Sequence, residues 1–297
     1  MLGCIIGDIA GSYYECVEIY ELLHSENKKR DYKKRIQILD KDVKLFDKNS
    51  SYTDDSVLTT AIAHALIDGD NEKNYELYLK KYGKSELDLG FDKYGGNRFS
   101  FYFTKWLHGD FRGNSYGNGS STRIAPIAFY FNNIDEMHKN VVKATIPSHN
   151  SSEALRASLA VADTIYFAKR KHSKEEIKNY IEKTYYYNLN FDLEDLQKNY
   201  KFSSKCSNSV PQAIYCFLIS NSFEDAIRKS ISIGGDSDTI ACIVGGISEA
   251  YYGIPNKIKM DVQKYIPEYM KDVLNNFYKK INEKNLNKKE MKLCKKI

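Results

Sequence analysis

The sequence predicts an all-α fold, a single-domain orthogonal bundle of many helices. Three observations point to it. Almost every patterned segment of the 297 residues repeats its apolar positions at three- and four-residue steps. Val, Ile and Thr rarely alternate with polar residues, so strand patterning is thin. No glycine/serine- or proline-rich linker interrupts the chain, which has 5 prolines in all and so favours one domain. The expected boundaries are residues 1–280 for the domain and 281–297 for a lysine-rich tail.

Residues 2–20 read as the first helix. Gly3, Gly7 and Gly11 recur every fourth residue, a smooth stripe against which another helix can pack closely. Asp8, Ser12 and Glu15 share a face of it. Residues 24–51 are polar, and their basic run KKRDYKKR reads as a solvated loop or face. Residues 52–66, YTDDSVLTTAIAHAL, set Thr53, Asp54 and Asp55 just before an apolar helical pattern. Residues 94–107, YGGNRFSFYFTKWL, place Gly95, Gly96 and Asn97 ahead of an aromatic helix. Residues 113–126, GNSYGNGSSTRIAP, are too glycine-rich for regular helix and offer the hydrogen-bonding side chains Ser115, Asn118 and Ser120. Arg123 is expected to form a structural ion pair rather than to bind phosphate.

His149 precedes a helix over 148–170, where Asn150 and Glu153 resemble a capping box. Pro211 suits a first helical position in NSVPQAIYCFLIS. Ser222 opens the next helix. Residues 233–253 then read IGGDSDTIACIVGGISEAYYG. A Gly234–Gly235 turn leads through Asp236, Ser237, Asp238 and Thr239 into a buried helix, stopped by Gly253 and Pro255. The last residues, 279–297, read as a terminal helix fraying into the tail.

Composition narrows the classes. The chain is 42% hydrophobic and 28% charged, as in ordinary soluble proteins. A net charge of +5 mildly favours anionic ligands, but it is scattered, so nucleic acid is not expected as a partner. Cys4, Cys16, Cys206, Cys216, Cys242 and Cys294 show no framework spacing and read as reduced thiols. The apolar start lacks a basic region and is broken by Asp8, so no signal peptide is read, and no run is long enough to span a membrane. A cytoplasmic monomer is the expectation.

Two of these strings carry chemistry. One N-cap needs one capping residue, whereas each helix start offers several oxygen-bearing side chains. If the starts converge, Asp54, Asp55, Asp236 and Asp238 share one small volume with the hydroxyls of Thr53 and Thr239. Like charges about 4 Å apart repel by roughly 4 kcal/mol at an effective dielectric of about 20. Divalent cations would relieve that, and an all-oxygen set suits Mg²⁺ or Mn²⁺.

TDDS and GGDSDT, in this order with a long helical stretch between them, resemble the ADP-ribosylglycohydrolase family. The resemblance runs from GCIIGDIAGSYYE to EAYYGIP. It implies a hydrolase with two Mg²⁺ or Mn²⁺ ions that releases ADP-ribose from a modified protein or a small ADP-ribosyl molecule. Thr53, Asp54, Asp55, Asp236, Asp238 and Thr239 would be ligands, with Asp54, Asp55 and Asp238 central to catalysis. Glu15, in the GDIAGSYYE context, would stand at the scissile bond, with Asp8 supporting the ligands from behind. Gly95, Gly96, Asn97, Ser115, Tyr116, Gly117, Asn118 and His149 would contact the ligand. Ser121 and Thr122 replace an Ala-Met common in relatives. Two other classes compete. DSDT also fits the DxDxT signature of haloacid-dehalogenase phosphotransferases, which requires a preceding buried strand. A non-catalytic ADP-ribose binder is the third.

Overall fold

The computed structural model describes residues 1–24, 39–88, 99–109 and 111–294, and these form a helical assembly with no β-strand among them. In chain order the helices are α1 (Leu2–His24), α2 (Asp54–Asp68), α3 (Glu72–Asp88), α4 (Phe101–His108) and α5 (Gly119–Thr122). They continue with α6 (Ala125–Tyr130), α7 (Ile134–Thr145), α8 (Ser152–Lys169), α9 (Lys174–Tyr185) and α10 (Leu193–Asn199). The last five are α11 (Cys206–Leu218), α12 (Phe223–Ser232), α13 (Ser237–Tyr252), α14 (Asn256–Asp261) and α15 (Glu268–Cys294). The Gly95–Asn97 turn and the basic run of residues 28–35 lie outside the described residues.

The organising contact joins α1 to α13. A Cβ placed on Gly7 would lie 1.9 Å from the Ala241 carbonyl oxygen, one on Gly3 2.2 Å from that of Gly245, and one on Gly11 2.4 Å from that of Ser237. The partners run backwards along α13 as the glycines run forwards, so the helices are antiparallel and nearly touch backbone to backbone. The stripe in the first helix is therefore the seat for the second acidic helix. Both helices are buried through this contact, with Ile5, Ile6, Ile9, Ile240, Val244 and Ile247 in the core. α2 packs on α3, α6 and α15, and α8 backs α13.

Most local signals act as read. Gly234 and Gly235 adopt φ of +68° and +73°, the left-handed region that a side chain disfavours, and turn the chain into α13. Ser222 caps α12 by accepting from the Asp225 backbone N–H at 3.1 Å. Cys4, Cys206, Cys216 and Cys242 are buried free thiols.

Four local expectations fail. The stretch 113–126, expected to be too glycine-rich for helix, holds α5, because Gly113 and Gly117 precede that helix and only Gly119 opens it. The cap of α8 is Ser151, which accepts from Ala154, not Asn150. Glu153 accepts instead from the Ser207 backbone N–H, because α11 starts beside it. Pro211 does not open α11: the helix begins at Cys206 and Pro211 sits inside it, forgoing the bond its nitrogen cannot make. Arg123 forms no ion pair among the described residues. It is fully buried and donates through Nη2 to the Ala144 carbonyl at 3.1 Å and Ser148 Oγ at 2.7 Å, while Nε and Nη1 have no partner.

Candidate active site

Three helices deliver the acids. α2 and α13 present their N-terminal turns, and α1 lies across both because its glycines let it reach α13. Asp8 is the hinge of the arrangement. It accepts from the Thr53 backbone N–H at 2.8 Å, Thr53 Oγ1 at 2.5 Å and the Ser56 backbone N–H at 3.1 Å, and from Ser56 Oγ. A carboxylate from α1 thus satisfies donors at the open end of α2.

The two acidic strings converge. Carboxylate oxygens of Asp8, Asp55 and Asp238 lie within 4.8 Å of one another, and so do those of Glu15, Asp236 and Asp238. Asp238 belongs to both groups. Thr239 Oγ1 donates to Asp55 Oδ2 at 2.7 Å and links α13 to α2 directly. Asp54 is partly exposed beside these groups and outside both. Thr53 caps α2, accepting from the Asp55 backbone N–H at 3.3 Å.

Asp236 occupies the capping position of α13, yet its side chain caps nothing. It accepts instead from Asn118 Nδ2 at 2.7 Å. Plain helix capping therefore does not account for the aspartates. Nor does the phosphotransferase reading, because DSDT opens a helix after a glycine turn and no strand precedes it among the described residues.

Crowding shows in the acidities. Burial, then the charge of Asp238, pushes Asp8 up to about 6. Burial, then Asp236, pushes Asp238 up to about 7. Asp236 rises to about 6, chiefly by burial, against the bond from Asn118. Asp54 and Asp55 are raised well above the usual carboxylate range, first by burial and then by Asp55 and Asp238 respectively. Such an all-oxygen cluster, buried and self-repelling, fits a divalent cation: the ion would supply the positive charge the cluster lacks.

A loop borders the acids. Ser115 Oγ accepts from the Gly117 backbone N–H at 3.0 Å, and Gly117 and Asn114 form isolated bridges to Lys205 and His149. Tyr116 is half exposed, with Lys205 Nζ 5.7 Å from its ring centroid. His149 is buried, and burial followed by the Arg123 charge holds it well below the usual histidine range. Its Nδ1 lies 2.8 Å from Ser148 Oγ, which already accepts from Arg123. The other ring nitrogen, Nε2, faces Gly117.

Comparison with known proteins shows the family and the fold. The model of the ADP-ribosylglycohydrolase family matches residues 1–289. The chain belongs to the ADP-ribosylglycohydrolase family. Human ADP-ribosylhydrolase ARH3 is 24% identical over 325 residues, covering 86% of this chain and 84% of the relative. The ADP-ribosylarginine hydrolase Tri1 of Pseudomonas putida is 24% identical over 152 residues, covering 49% of this chain and 41% of its own length. A solved structure, an ADP-ribosylglycohydrolase-related protein complex, shares the fold with TM-score 0.58 and 18% identity, covering 94% of this chain and 96% of its own.

The sequence left three participants without a role. Ser56 bonds Asp8, and Thr122 hydrogen-bonds Asp55 from the position that departs from the family pattern. The segment 200–206 forms a wall. The Ser204 carbonyl accepts from the Asn118 backbone N–H at 2.9 Å, and the Tyr200 ring and Phe202 backbone pack on Gly235. Its aromatic residues, Tyr200 and Phe202, carry no spacing signal. A left-handed glycine next to an acidic turn is the one hint that something covers it.

Proposed function

We propose that the protein is a divalent-metal-dependent hydrolase that cleaves the glycosidic bond between ADP-ribose and an acceptor, with ADP-ribose as product. The carrying observation is the pair of carboxylate groups joined at Asp238, set beside the Ser115–Asn118 loop. Asp8, Asp55 and Asp238 would hold one ion and Glu15, Asp236 and Asp238 a second. Thr53, Asp54 and Thr239 stand close enough in sequence and space to add oxygens, since a donating hydroxyl keeps a free lone pair. Bound Mg²⁺ or Mn²⁺ would supply Lewis-acid stabilisation of ribose hydroxyls and of water.

The chain's own residues do the rest. Glu15, half buried at the edge of the cluster, accepts a hydrogen bond from the attacking water and aims its oxygen at the anomeric carbon. The bond to the acceptor breaks as the bond to water forms, and the acceptor leaves with a proton. Carboxylates around the sugar stabilise its developing positive charge. The neutral His149 turns Nε2 to the diphosphate side of the ligand, and Tyr116 offers a face to the base.

The GSYYE context of Glu15 supports an O-linked acceptor. The names of the relatives cover both ARH3-type and arginine-directed hydrolases, so the acceptor is the quantity to measure. A panel of defined O- and N-linked ADP-ribosyl conjugates, assayed with Mg²⁺, with Mn²⁺ and after chelation, tests the reading. Metal-dependent release of ADP-ribose from an O-linked conjugate is expected. Stoichiometric ADP-ribose binding with no turnover of any conjugate would replace the hydrolase by a binder.

A further inference from the structure

We propose that Asn118 acts as a positioning residue: its side chain holds the Asp236 carboxylate for cation binding and does not contact the diphosphate. The inference rests on the metal-dependent reading above and deepens it. It also reverses the role that the glycine-loop resemblance implies for this side chain.

An asparagine amide has two hydrogens to give. Asn118 Nδ2 lies 2.7 Å from Asp236 Oδ2 and 3.2 Å from Ser209 Oγ. An ionised carboxylate only accepts, so the amide nitrogen, not its oxygen, faces Asp236. Ser209 Oγ spends its own hydrogen on the Lys205 carbonyl at 2.9 Å, so towards Asn118 it accepts. Both amide hydrogens are thereby used within the protein. Asn118 and Asp236 are each 6% exposed and Ser209 is fully buried, so water does not compete for these bonds.

Asp236 needs such a partner. It does not cap its own helix, and the residues that bear on it from within its turn, Asp238 and Thr239, are themselves part of the acidic cluster. From outside α13 the carboxylates of Glu15 and Asp55 press on it, and Asn118 brings it a hydrogen-bond donor. The backbone of Asn118 is fixed in turn. Its N–H donates to the Ser204 carbonyl at 2.9 Å, and its carbonyl accepts from the Ser121 N–H at 2.8 Å. A rigid loop residue thus sets the direction of a carboxylate in the Glu15, Asp236 and Asp238 group, while Tyr116 and the side chain of His149 are left to the ligand.

The test separates the two roles. Mn²⁺ is titrated calorimetrically into chelator-stripped wild type and Asn118→Ala, and ADP is titrated into the same metal-free proteins. The expected result is a tenfold or larger loss of Mn²⁺ affinity at one of two sites, with ADP affinity changed less than twofold. A tenfold loss of ADP affinity with both Mn²⁺ affinities intact would make Asn118 a ligand contact and overturn the proposal, as would equal losses of both. Should Asn118→Ala fail to fold, Asn118→Ser, which stays polar but stops short of Asp236, is read the same way. Wild type that binds ADP but no Mn²⁺ overturns the metal reading itself, and the proposal with it, before any variant is compared.

Discussion

Asp238→Asn is the sharpest perturbation, because Asp238 is the one residue common to both carboxylate groups. The substitution keeps volume, and the oxygen that accepts from the Thr239 backbone N–H at 2.7 Å survives as the amide oxygen. What is lost is a charge. Burial and Asp236 raise this carboxyl from an ordinary 3.8 to about 7. The difference of about 3 units, at about 1.4 kcal/mol each, means that carrying the charge in the metal-free protein costs on the order of 4 kcal/mol, shared with its neighbours. A carboxyl raised on folding favours the folded state below its unfolded value and loses that contribution as pH climbs to its folded value. Metal-free wild type should therefore lose stability from about pH 4 to about pH 7, and the variant should lose less.

For a chain of this size one kcal/mol moves the midpoint by roughly 2 °C. Chelated Asp238→Asn should thus melt up to roughly 8 °C above chelated wild type at pH 8, and closer to it at pH 5. Calorimetric melts at both pH values read this. Turnover of an ADP-ribosyl conjugate by the same variant should fall by about 10²-fold or more, since the charge on the cations is gone. A chelated variant that melts several degrees below wild type at pH 8 would refute the reasoning and make Asp238 a structural element of α13.

Chelation should abolish turnover, and Mg²⁺ or Mn²⁺ should restore it and raise the melting temperature through binding linkage; full activity after exhaustive chelation would leave the carboxylates without a catalytic ion. Glu15→Gln should keep ADP-ribose affinity by calorimetry, because the Asp8, Asp55 and Asp238 group does not include it, while kcat falls by about 10²-fold or more. Near-wild-type turnover by that variant would reduce Glu15 to a bystander. Gly7→Ala puts a methyl 1.9 Å from a backbone oxygen of α13 that has no freedom to retreat. A loss of about 3 kcal/mol or more in urea denaturation is expected, beyond ordinary overpacking, with activity lost because α1 carries Asp8 and Glu15; an unchanged midpoint would mean that the two helices do not meet there.

Helices were legible because their periodicity is local: each apolar stripe, glycine turn and capping serine acts within a few residues. The same locality made the acidic strings visible, since TDDS and GGDSDT each offer more oxygen than one cap can use. It also set the limits. Ser151 displaced Asn150 as the cap of α8, and α11 started ahead of Pro211, because neighbouring segments supplied the competing partners. Arg123 looked like an ion-pair residue until its surroundings proved to be a carbonyl and a serine.

The sequence by itself determined which side chains could bind a cation, and that the first helix was smooth enough to be approached. Only the tertiary structure decided that the helix approaching it is the second acidic one. That contact joins residues more than 200 positions apart, and nothing in local periodicity encodes it. It brings Asp8 and Glu15 to Asp238, turns two helix starts into one cluster, and lets Asn118 hold a carboxylate 118 residues further along the chain. Helix and cap formation are satisfied by short-range hydrogen bonds, whereas a site of mutually repelling carboxylates exists only where packing elsewhere is strong enough to hold it together.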